Sequence, residues 1–107
     1  MLEISPGKIV RVIALSREFG ADSPRLRDFI SGLNDDEQSS LVAVMWIGRD
    51  TFDASELEEA IETAVSEASA PTEDYLSGIP DLAEHLEAGM DALGIDVTDE
   101  EDDLHGR

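Results

Sequence analysis

A chain of 107 residues, 41% hydrophobic and 31% charged, is the size of one domain with a modest core and a heavily solvated surface. It has no cysteine, which excludes disulfides, thiolate catalysis and cysteine-held zinc or iron–sulfur centres. Its net charge of −19 is unevenly placed: Met1 to Arg49 carries seven acids and six bases, whereas Asp50 to Gly106 carries nineteen acids and no Lys or Arg, an arrangement that disfavours direct contact with nucleic acid or anionic lipid.

The opening "MLEISPGKIV" lacks the basic, apolar and small-residue order of a signal peptide, and no apolar run approaches the roughly 20 residues of a membrane helix. A soluble, cytoplasmic protein is expected. In "ISPGKIVRVIALSREFG", Ser5 reads as an N-cap, Pro6 as the first helical residue and Gly20 as the C-terminal stop. The β-branched cluster Ile9, Val10, Val12 and Ile13 argues for a strand, but Ile9, Val12, Ile13 and Leu15 also form one helical stripe, and the caps decide for a helix of about 14 residues. The Ser-Pro start recurs at "DSPRLRDFISGLN", where Ser23 caps a short helix bearing Leu26, Phe29, Ile30 and Leu33.

Asn34 caps a third helix, "DDEQSSLVAVMWIG", whose Asp35, Asp36 and Glu37 face the positive end of the helix dipole. Residues 41 to 47 are apolar on every side, the pattern of a helix enclosed by others, so Trp46 is read first as core and second as an interface anchor. Gly48 is read as the end of this helix, and Arg49 as a partner for Asp50, Asp53 or Glu56. In the fourth helix Leu57, Ala60, Ile61, Ala64, Val65 and Ala68 share a narrow, alanine-rich face; its Ala60, Ala64 and Ala68 also offer a surface for homodimer pairing.

A last helical segment, "EDYLSGIPDLAEHLEAGMDALG", places Leu82, Leu86, Met90 and Leu93 in line before Gly94. Gly78 can end one helix there and Pro80 start another, with the Tyr75 ring buried at the joint and its hydroxyl on a backbone partner. The expected fold is all-α, a small single-domain bundle of four to five helices over residues 1–95, with a mobile acidic C-terminal tail over 96–107.

The blocks "MLEISP", "LNDDEQSSLVAVMWIGRDTFDA" and "YLSGIPDLAEHLEAGMDALG", about half of the chain, resemble the uncharacterised bacterial family called domain of unknown function 3775. The resemblance implies a small helical protein and supplies no activity. The tetrapeptide Gly-Ala-Asp-Ser in "GADSPRL" resembles the acyl carrier proteins, where the serine bears phosphopantetheine. Pro24 replaces the usual leucine, and Arg25 and Arg27 stand where acids would serve basic partners, so Ser23 is read as a cap and no cofactor is assigned.

Asp81 and His85, four residues apart, make a helix-stabilising pair rather than a metal site, which needs three or four ligands, and His105 reads as a solvated side chain. The tail's "DVTDEEDDLHG" lacks the spacing, central glycine and closing glutamate of a calcium loop. No phosphate loop, Ser/His/Asp set or nucleophile elbow is present, and carboxylate pairs are too numerous to indicate acid–base catalysis. The leading expectation is a non-enzymatic protein-interaction module that binds a basic protein through residues 50–106, with Trp46, Arg49, Tyr75, Glu58, Glu59 and Glu62 as candidate interaction residues. Two alternatives stand beside it: a ligand-binding or enzymatic pocket near Trp46, Arg49 and Tyr75, and a nucleic-acid mimic whose carboxylates take phosphate positions. Solubility, or a salt-rich cytoplasm, accounts for the acidity equally well.

Overall fold

The computed structural model describes residues 2–95, and within them the chain is all helical. The six α-helices are α1 (Pro6–Phe19), α2 (Pro24–Ser31), α3 (Asp35–Gly48), α4 (Leu57–Ser66), α5 (Thr72–Ser77) and α6 (Leu82–Ala92), with a 3-10 turn at Ala54–Glu56 before α4. The acidic tail predicted over 96–107, His105 included, lies outside the described residues.

The starts of the first three helices follow from side chains three residues away from the N–H groups they satisfy. Ser5 Oγ accepts from the Lys8 N–H, Ser23 Oγ from the Leu26 N–H, and Asn34 forms a reciprocal capping box with Glu37. The α1 stripe of Ile9, Val12, Ile13 and Leu15 is buried, so the capping signals outweigh the β-branched cluster. Helix α3 is the centre, as its all-round apolar sequence requires: every residue from Ser40 to Ile47 is buried. It packs against α6, α4 and α5, while α1 lies against α6 and α2, and α2 against α5.

Two polar residues of α3 join neighbouring segments to it. Buried Ser40 Oγ accepts from the Glu3 N–H at 2.9 Å, which fixes the entry strand of chain beside the core. Gln38 Nε2 donates to the Ile30 and Leu33 carbonyls and so satisfies the open C-terminal end of α2.

The last helical segment divides into two helices at the predicted joint. Gly78 ends α5 as expected, but Pro80 sits in the turn and α6 begins only at Leu82, after Asp81 in the left-handed conformation at φ 58°. The Asp81–His85 side-chain pair is therefore absent: Asp81 precedes the helix, and its backbone carbonyl, not its carboxylate, accepts from the His85 N–H. Similarly, the predicted buried face of α4 narrows to Ala60 and Ala64. Val65 is 59% exposed, because α3 is the principal neighbour of α4 and encloses only a thin strip, and Ala68 is exposed because the helix ends at Ser66, before it.

Helix α3 ends at Gly48, as its sequence indicates, and the left-handed residue that closes it is Asp50. The Thr51 N–H reaches the Trp46 carbonyl and the Asp50 N–H reaches that of Ile47, with Asp50 left-handed at φ 67° where this motif usually holds glycine. The same bonds close α6, there with glycine: Ile95 to Met90 and Gly94 to Asp91, Gly94 at φ 76°. Asp50→Gly is therefore expected to stabilise the protein by about 0.5–1 kcal/mol, relieving the left-handed cost of a Cβ. Urea midpoints of the two proteins check this, and an unchanged or lowered midpoint would contradict it.

Candidate functional site

Trp46 reaches the surface only at its edge, 8% exposed, and its Nε1–H donates to the Tyr75 hydroxyl at 2.9 Å. The Tyr75 hydroxyl thus finds an indole rather than a backbone group, and its ring is 37% exposed rather than buried at the helix joint. Tyr75 belongs to short α5, which packs on both α2 and α3, so the bond bridges the centre of the fold and its rim. On another side Trp46 meets Phe52, with ring centroids 5.7 Å apart and a 31° tilt.

Between α3, the C-terminal end of α4 and the link to α5 lies a pocket of about 180 Å³. Val42, Trp46, Ala64 and Ala68 give it apolar walls, and Glu67 and Tyr75 stand among its polar groups. Arg49 does not line it. Its Nε donates to Thr51 Oγ1 at 3.2 Å, and among the described residues it forms no ion pair with Asp50, Asp53 or Glu56, because Asp53 and Glu56 are occupied as the capping box of the 3-10 turn. A wider groove of about 540 Å³ between the end of α1 and the α5–α6 turn contains none of the predicted site residues, and its Arg17 is already engaged by Glu84 and Glu87.

The charges are sorted by the fold. Arg17 on α1 makes a two-pronged contact with Glu87 at 2.9 and 2.7 Å and lies 3.5 Å from Glu84, so two acids of α6 are compensated. Arg27 on α2 pairs with Asp74 and donates to Ser77 Oγ at 2.9 Å, which does the same for α5. Lys8 pairs with Glu37 within the first half. No base of the described residues forms an ion pair with Glu59, Glu62 or Glu67 of the α4 segment. The acids of the second half are thus partly neutralised on α5 and α6, whereas Glu59, Glu62 and Glu67 receive no ion pair from the described residues.

The ion pairs and caps displace protonation in the expected direction. The Arg17 guanidinium, through its hydrogen bonds first and its charge second, holds the Glu87 carboxyl below the usual carboxylate range. The Lys8 ammonium and then the Asn34 N–H lower Glu37, and the Ser55 hydroxyl and N–H lower Asp53. A lowered folded-state pKa means that the unfolded chain binds more protons through the acid range, so the Glu87 contribution is present above its ordinary value and is lost as pH falls through the lowered one. Arg17→Met should accordingly lose less stability than wild type between about pH 5 and about pH 3, by under about 1 kcal/mol because both partners are about half exposed. Urea unfolding at a series of pH values measures the slope; parallel slopes would remove this pair from the acid sensitivity.

Of the alanine stripe read as a homodimer face, Ala60 and Ala64 are buried within the chain's own fold, where α4 packs on α3, and Ala68 is exposed. Among the described residues no group of three or more His, Asp or Glu is placed to hold a metal ion, and no helix is long and apolar enough to cross a membrane. What sequence reasoning missed is the Trp46–Tyr75 bond and residue Glu67; the one available signal was that buried indoles and phenols seek polar partners. The family model for proteins of unknown function DUF3775 matches residues 23–95. No curated protein and no solved structure matches the chain.

Proposed function

Since the chain belongs to the DUF3775 family, whose description carries no activity, we propose a function from its own surface: a non-enzymatic interaction module that binds a basic protein through its acidic second half. The observation that carries this reading is the set Glu59, Glu62 and Glu67, which no base of the described residues pairs. Arg17 and Arg27 reach α6 and α5, yet Glu59, Glu62 and Glu67 receive no such base. Fields of one sign steer oppositely charged partners and raise encounter rates, most strongly at low salt. The absence of cysteine fits a reducing compartment, and we place the encounter in the cytoplasm.

The ligand-binding alternative receives support from the pocket beside Trp46 and Tyr75, but about 180 Å³ is below the roughly 300–1,000 Å³ of cavities that hold whole small molecules. Arg49, the cation that reading would use for an anionic ligand, points its hydrogen bonding at Thr51 instead.

The test is capture of proteins from the native host on the immobilised full chain, at low and high salt, with wild type, a Glu59→Gln/Glu62→Gln/Glu67→Gln variant and an Asp91→Asn control. The expected result is a discrete basic protein retained by wild type and the control at low salt, released at high salt and lost from the triple variant. Retention that ignores the triple substitution, or no basic protein at all, would defeat the reading.

A further inference from the structure

We propose that the Trp46–Tyr75 pocket is a socket for one lysine side chain of the basic partner, an inference that rests on the interaction-module reading and gives it an anchor. The pocket's size selects a single side chain rather than a metabolite. Its walls select the chemistry. Val42, Ala64, Ala68 and the Trp46 indole suit an aliphatic stem, and Glu67, exposed and without an ion-pair partner among the described residues, supplies a carboxylate for a terminal cation.

Charge complementarity decides against an anion or a purely apolar occupant. The segments that enclose the socket, α4 and α5, carry acids and no bases, so an anionic group would enter an unfavourable field, while an alkyl chain without charge would leave the Glu67 carboxylate unused. Lysine is favoured over arginine because a compact ammonium on a slim four-carbon stem suits a pocket of about 180 Å³ better than the broader planar guanidinium fork. The aromatic pair adds a polarisable wall to which an ammonium is attracted. Elsewhere Lys8, Arg17 and Arg27 pair with acids of the chain itself; at this socket the base would come from the partner.

The socket contains its own reporter, since Trp46 is the chain's only tryptophan. The experiment titrates the full chain at low salt with a lysine decapeptide and with an arginine decapeptide, reading affinity by calorimetry and the pocket by Trp46 emission. Wild type is compared with Glu67→Gln and with Ala68→Leu, which fills the pocket from an exposed position, and circular dichroism verifies that each variant is folded. The lysine peptide should bind wild type with a saturable change in Trp46 emission and about tenfold more tightly than the arginine peptide, and Ala68→Leu should weaken it about tenfold and remove the emission change. Equal calorimetric affinity for wild type and Ala68→Leu, or equal affinity for the two peptides, overturns the socket while leaving the acidic-surface reading in place. Absence of binding by either peptide removes both.

Discussion

Gly48→Ala and Gly89→Ala will each destabilise the protein by about 3–5 kcal/mol, a large part of the roughly 5–15 kcal/mol that holds a domain folded. Helices α3 and α6 cross with backbone against backbone at these two residues. A Cβ on Gly48 would lie 1.6 Å from the His85 carbonyl oxygen and 2.6 Å from its carbon, and a Cβ on Gly89 would lie 2.1 Å from the Val44 carbonyl oxygen. Ordinary contact begins at about 3.4 Å, so the helices would have to separate by more than an ångström, and the obstructing atoms are main chain that cannot swing aside. Separation would loosen Val44, Leu86 and Met90 in the fully buried centre. Gly32→Ala provides the contrast, because its nearest atoms are 3.5 Å away and its backbone is right-handed; it should be neutral or slightly stabilising. Urea unfolding followed by circular dichroism compares all three, and a loss below about 1 kcal/mol in both Gly48→Ala and Gly89→Ala would show that the two backbones are not in contact.

Trp46→Ala will cost about 3–5 kcal/mol, by removing the largest side chain of α3 and leaving a cavity against Phe52, Ala64 and Tyr75. Tyr75→Phe separates the polar part of this loss from the volume. It keeps the ring and deletes only the acceptor of the Trp46 Nε1–H, so the expected cost is about 1–2 kcal/mol. Combining Tyr75→Phe with Trp46→Phe should cost less than the two single losses added together, because both remove the same bond, and a double-mutant cycle on urea midpoints measures the difference. Strict additivity would mean that the indole and the phenol do not interact. The alanine variant also bears on Trp46 as an interface anchor: a protein that remains folded and loses its partner would assign the residue to binding, whereas general unfolding assigns it to the core.

The caps at Ser5, Ser23 and Asn34 and the glycine after α6 were legible because donor and acceptor lie within a few residues of each other, so sequence order is nearly spatial order. The buried centre at residues 40–47 was legible for another reason: a helix apolar on every side has no stable place except between other helices. Gly48 shows where local reasoning stops. It was read as a helix terminator, but its tertiary role is to admit the carbonyl of His85, a residue 37 positions later, and nothing in the neighbourhood of either reveals that meeting.

The candidate site divides in the same way. Its acidity, its lone tryptophan and the lack of Lys and Arg from Asp50 to Gly106 are properties of composition and order, fixed by the chain alone. Which acids remain uncompensated was decided by packing: α1 brought Arg17 to α6 and α2 brought Arg27 to α5, while α4 lay beyond their reach. Packing likewise set Tyr75 on Trp46, excluded Arg49 from the pocket and brought Glu67 to it. The physical reason is range. Helix formation, capping and burial preference act between near neighbours and are written in local order, whereas ion pairs, backbone crossings and pockets join residues tens of positions apart and exist only once the helices have docked.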